Sequence, residues 1–143
     1  MLRGIPPTIS PDLMHVLMSM GHSDELVLAD GNFPAAANAR QLVRADGLDV
    51  LDVLQAIASF FPLDSHADDH AVVMATVEDV PPPAIWQAFR DILCETEGRD
   101  VCITPIERFA FYERARRAFA IVATSESAIY ANLILKKGVV ADE

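Results

Sequence analysis

The chain has 143 residues, 52% of them hydrophobic and 22% charged, which suits one globular domain with a buried core. Its net charge of −10, from 21 acidic and 11 basic residues, argues against nucleic acid, whose phosphates are bound by Lys and Arg. No apolar run approaches the roughly 20 residues of a membrane span, and "MLRGIPPTISPDL" lacks an apolar signal core, so no membrane partner and a cytoplasmic location are expected.

Ser10-Pro11 predicts a helix start, with a capping hydroxyl followed by proline at the first helical position. Leu13, Val16, Leu17 and Met20 then recur at helical spacing, and Gly21 suits the stop. A buried strand follows from Glu25 to Asp30, ended by Gly31-Asn32-Phe33-Pro34. Residues 35–40 are Ala-rich and carry no period, while "QLVRA" (41–45) is compatible with a short strand. Leu51, Leu54, Ile57 and Phe61 predict a helix over 49–61 that ends before Pro62. "AVVMATV" (71–77) is β-branched and apolar, hence a buried strand.

After Pro81-Pro82-Pro83, Ile85, Trp86, Phe89 and Leu93 form the inward face of a helix over 84–95. Residues 103–108 read as extended, 109–118 as a helix, 119–124 as a strand and 131–138 as a last strand. Strands alternating with helices predict a three-layer α/β domain with a largely parallel sheet. In such sheets ligands sit beyond the carboxyl ends of strands. Asp30 lies at one such end.

Several residue types invite chemistry. Histidine exchanges protons near neutrality, so His22 suits acid/base work, or it satisfies the end of the preceding helix. Asp30 before Gly31-Asn32 is a turn former or a pocket carboxylate. His66 and His70 in "DSHADDH" have the i, i+4 spacing of a metal-binding helix, but the segment follows Pro62 and reads as a polar loop. Arg108 and Tyr112 share a face if helical, to hold sugar hydroxyls or an anion, or as a surface cation stacked on a ring. Tyr130 and Asn132 share a face if extended, and an amide offers donors and acceptors to a polyhydroxylated ligand. Arg114, Arg116 and Arg117 read as a solvated face, and Cys94 and Cys102 as reduced, structural thiols. There is no glycine-rich phosphate loop, G-x-S-x-G elbow or CxxC pair, so no cofactor and no metal are expected. Proton transfer by His, Asp and Tyr is what remains.

The segments "GHSDELVLADGNFP", "RADGL", "FPLD", "IERFAFYERA", "FAIVAT" and "YANLILKKGV", in order from about Leu2 to Val140, together resemble the L-fucose mutarotases, relatives of the D-ribose pyranases. The resemblance implies a Rossmann-like three-layer α/β domain that interconverts sugar anomers by general acid/base ring opening and closure. It also implies a monosaccharide substrate, a homo-oligomer of the ring-like decamer kind, and a sugar bound near subunit boundaries. His22, in the G-H-x-D-E motif, would be the general acid, and Asp24 would orient it or cap its loop. Asp30 and Tyr112 would contact the sugar and serve catalysis, while Asp64, Met74, Arg108, Tyr130 and Asn132 would bind it. Ribose-specific relatives tend to carry a histidine in place of Arg108, which favours fucose here. The competing readings are a pyranase or mutarotase of another monosaccharide, and a sugar-binding module without catalysis.

Overall fold

The computed structural model describes residues 1–142. Its elements run α1 (Pro11–Ser19), β1 (Glu25–Ala29), α2 (Ala35–Asn38), β2 (Leu42–Ala45), α3 (Val50–Ala58), β3 (Ala71–Met74), α4 (Ile85–Glu97), β4 (Thr104–Ile106), α5 (Arg108–Arg117), β5 (Ala120–Thr124) and β6 (Leu133–Lys136). The strands form one six-stranded sheet in the order β2-β5-β1-β6-β3-β4. Every pairing that includes β6 is antiparallel and the others are parallel, so the sheet is largely parallel with one reversed strand inside it.

Strand alternation divides the core in two. Leu26 and Leu28 of β1, Val73 of β3 and Val122 of β5 pack with Leu13, Val16, Leu54, Ile57 and Phe89 of α1, α3 and α4. Val27, Val72, Met74, Ile121 and Ile134 face the other way, against Ala35 of α2 and Phe111 and Ala115 of α5. That is the three-layer α/β arrangement expected from the sequence.

Ser10 starts α1 as read, its Oγ accepting the Leu13 N–H at 3.1 Å. The stop differs. Met20 leaves the helix in extended backbone, so Gly21 makes no left-handed turn, and its N–H donates instead to the Asp24 carboxylate at 2.7 Å. β3 ends at Met74 rather than running to 77, because its pairing partners run out: β4 stops at Ile106, opposite Met74, and β6 reaches only to Leu133, opposite Val73. β6 likewise starts at Leu133, since beyond the Leu28–Leu133 pair the Asp30 N–H is taken by the Asn132 side-chain oxygen and not by a backbone carbonyl. Arg114 is not on a solvated face. It binds Glu25 through Nε at 2.7 Å and Asp69 through Nη1 at 3.0 Å, and Lys136 joins at 3.1 Å from Asp69, so α5 is bolted to β1 and β6.

Because β1 lies between β5 and β6, the connection 125–132 must arch over the carboxyl end of β1. Gly31 sits under the arch, donating its N–H to the Glu126 carbonyl at 2.8 Å, where a Cβ would lie 3.1 Å from that oxygen. The fold thus brings two distant stretches together over Asp30.

Candidate functional site

Asp30 and Asn132 clasp each other beneath this arch. Asn132 Nδ2 donates to Asp30 Oδ2 at 3.0 Å, and the Asp30 backbone N–H donates to Asn132 Oδ1 at 2.8 Å. Asp30 Oδ1 also accepts the Asn32 N–H at 3.0 Å. Both side chains are about one-twentieth exposed, at 5% and 4%. A carboxylate has about four acceptor sites, so Asp30 keeps capacity for a ligand hydroxyl after these bonds.

The clasp floors an open cleft of about 360 Å³ lined by Asp30, Asn32, Phe33, Met74, Tyr112, Ile129, Tyr130 and Asn132. Five of the predicted residues, Asp30, Met74, Tyr112, Tyr130 and Asn132, therefore meet in one place. Phe33 was missed, having served only as a strand stop. Its ring stacks on Tyr112 with centroids 5.4 Å apart and meets Phe111 edge-on at 6.0 Å, which fixes the phenol at the cleft wall. The signal was available in the aromatic residue of "GNFP", but its partner lies on α5, far along the chain.

His22 stands elsewhere. It precedes β1 while Asp30 follows it, and five strand residues separate the two by about 17 Å at roughly 3.4 Å per residue. Within one chain the opposite ends of β1 do not share a pocket. His22 Nε2 lies 3.5 Å from Asp64 Oδ2, with the His22 side chain 52% exposed. Asp64 Oδ1 accepts the His66 N–H at 2.9 Å, and this bond holds its carboxyl below the usual carboxylate range. Desolvation opposes that shift, and the His22 charge reinforces it. The predicted site residues thus form two groups: a histidine–carboxylate pair at one end of the sheet and an open cleft at the other.

Arg108 joins neither group. It begins α5, is exposed, and has its guanidinium 4.8 Å over the Phe109 ring, in the neighbouring cleft lined by Ala75 to Glu78. Tyr112, one turn later, does reach the main cleft. His66 and His70 are not on a helix, so their spacing does not point the rings one way. His70 is buried and bonded through Nδ1 to the Ala67 carbonyl at 2.7 Å. Cys94 is half-buried and accepts the Val101 N–H at 3.2 Å, as a structural thiol should, whereas Cys102 is exposed. Among the described residues no helix is long and apolar enough to cross a membrane, and no cluster of His, Cys, Asp and Glu has the makings of a metal site.

The sequence profile of the RbsD / FucU transport protein family matches residues 3–140. The chain belongs to this family. Within the RbsD / FucU family it is similar to a fucose mutarotase of Danio rerio, 46% identical over 151 aligned positions that cover 99% of this chain and 96% of the fish protein. The fucose mutarotase of Streptococcus pneumoniae, solved in complex with L-fucose, is 48% identical, superposes with a TM-score of 0.93, and is matched over 98% of this chain and 100% of its own. RbsD of Bacillus subtilis, solved with D-ribose, shares the family fold at a TM-score of 0.73 and 21% identity, over 99% of this chain and all of that one.

Proposed function

We propose that this protein is an L-fucose mutarotase, and that its sugar sits in the cleft over the Asp30–Asn132 clasp. The observation that carries the reading is the clasp itself: a buried carboxylate and amide, hydrogen-bonded to each other yet with acceptor capacity left, under walls of Tyr112, Tyr130 and Met74. Polar groups on a small floor with apolar walls match a ligand that carries several hydroxyls and one methyl group. The similarity to proteins named fucose mutarotases, at 46–48% identity over almost the whole chain, supports the same substrate.

Mutarotation opens a cyclic hemiacetal and closes it on the other face of the carbonyl carbon. Opening breaks the bond between the anomeric carbon and the ring oxygen. The ring oxygen gains a proton, the anomeric hydroxyl loses one, and the electrons of its O–H bond become part of the aldehyde. After rotation about the first carbon–carbon bond, closure reverses both transfers. An acid and a base suffice, each typically contributing about 10²–10⁴-fold when positioned. In this reading His22, braced by Asp64, protonates the ring oxygen, and Asp30, Tyr112 or a water held by them takes the hydroxyl proton. Tyr130 and Asn132 hold the remaining hydroxyls, Met74 packs on the methyl side, and Arg108 swings from the adjoining cleft to the sugar's rim.

The separation of His22 from Asp30 has a direct implication for assembly. A working site needs the His22–Asp64 pair of one copy set against the cleft of a second, so the active species is a homo-oligomer. The two free thiols, one of them exposed, fit a reducing cytoplasmic setting.

The test is saturation-difference proton NMR on equilibrated L-fucose and, separately, D-ribose, with EDTA present. Saturating one L-fucose anomer should reduce the signal of the other only when protein is added. Transfer in ribose alone would replace this reading with a pyranase, and binding without transfer in either sugar would replace it with a non-catalytic sugar module.

A further inference from the structure

We infer that Trp86, which lies outside the cleft, is a positioning residue that sets Tyr130 for the sugar; the inference rests on the mutarotase reading above. Trp86 is the only tryptophan of the chain and stands in the first turn of α4, on the sheet face opposite Phe33 and Tyr112. Its indole Nε1–H donates to the Tyr130 backbone carbonyl at 2.9 Å. Tyr130 has φ 56°, in the left-handed region that bulky side chains rarely occupy. Such a conformation persists only where the surroundings over-determine it.

Three anchors bear on that turn, and they are unequal. Asn132, two residues on, is locked to Asp30. The Tyr130 hydroxyl accepts the Val77 N–H at 3.4 Å, near the limit of a hydrogen bond. The indole bond is shorter and falls on the Tyr130 carbonyl, whose direction is fixed by the ψ of Tyr130 itself. It therefore sets the peptide plane after the strained residue, and with it the angle at which the phenol enters the cleft. Trp86 lines no part of that cleft, so it touches no sugar and acts through Tyr130. Tryptophan suits the task because its N–H is a donor only, held rigidly on a ring packed against the main core.

The test compares four proteins: wild type, Trp86→Phe, Tyr130→Ala and the double variant. Phenylalanine keeps an aromatic ring at the position but removes the indole N–H together with part of the ring's volume, and the Tyr130→Ala background separates the lost bond from the lost packing. Mutarotation of L-fucose, followed by anomer-exchange NMR, gives kcat and KM, and ligand-observed NMR gives Kd for the same sugar. Trp86→Phe should raise KM and Kd about three- to tenfold with kcat within about twofold, the pattern of lost uniform binding. In the Tyr130→Ala background the same substitution should change Kd by less than about twofold, because the ring it positions is gone. An unchanged Kd in Trp86→Phe, or an equal rise in both backgrounds, would overturn the inference. Absence of exchange by the wild-type protein would instead sink the mutarotase reading, and the four Kd values would still decide the role of Trp86.

Discussion

A histidine that is half in solvent does little chemistry unless something aims it, and in the proposed mechanism Asp64, 3.5 Å from His22 Nε2, does the aiming. The carboxylate is itself fixed by the His66 N–H, so the pair is built from the "FPLDSH" loop as much as from the G-H-x-D-E motif. His22→Ala should lower kcat about 10²–10⁴-fold, the usual worth of a positioned proton-transfer group, while leaving the circular dichroism spectrum unchanged. Anomer exchange at wild-type rate in that variant would remove His22 from the mechanism. At this scale the sequence disclosed which side chains had chemistry to offer but not what they touch. Asp30 and Asn132 were legible as polar residues at strand ends; their mutual clasp, between residues on two different strand ends, was not. Trp86 read as one more inward residue of a helix, because spacing reports the face a ring occupies and is silent about its N–H. Arg108 was put with Tyr112 by helical spacing, and the helix is there, but its first residue points past the cleft.

Elements were legible where they carry their own signal. The Ser10 cap and the apolar run of β1 depend on neighbours in the chain, and the structure keeps them; α3 buries Leu54 and Ile57 as read but ends at Ala58, leaving Phe61 outside the helix. Signals that depend on partners were less so. The "AVVMATV" run stays apolar past the point where its neighbouring strands stop, and α2 is a single turn too short to show a period. The close packing of Gly138 illustrates the same dependence. A Cβ there would lie 2.6 Å from the Leu63 carbonyl oxygen and 3.0 Å from the Asp64 Cα, both backbone atoms that cannot swing aside. Gly138→Ala should therefore push the Leu63–Asp64 backbone away and uncouple Asp64 from His22. The expected result is a fall in kcat of about tenfold or more with L-fucose affinity nearly intact, checked by anomer-exchange kinetics against ligand-observed binding.

For the whole molecule, the acidic composition turns into a pH dependence through a few carboxylates held by donors. The Asp64 carboxyl is lowered by the His66 N–H, and Glu107 by the N–H groups of Phe109 and Ala110 at the start of α5. Burial works to raise Asp69, but Lys136 and Arg114 more than offset it, and its carboxyl is lowered too. Each lowered carboxylate contributes stability that is complete above its unfolded value, about 4, and is lost as pH falls through the folded value. Thermal melts should show a Tm nearly flat from about pH 6 to 8 and dropping steadily below about pH 4. A Tm that rises on acidification would contradict these pairings. In the proposed oligomer, the separation of His22 from the cleft by the length of β1 has a genetic consequence. In the proposed mechanism a variant lacking His22 keeps an intact cleft and one lacking Asp30 keeps the proton donor, so each should be inactive alone but complete in what the other lacks. Co-expressed or unfolded and refolded together in equal amounts, they should rescue one another, regaining about a quarter of wild-type turnover if subunits mix at random. Two inactive alleles in one cell would then add up to a working enzyme.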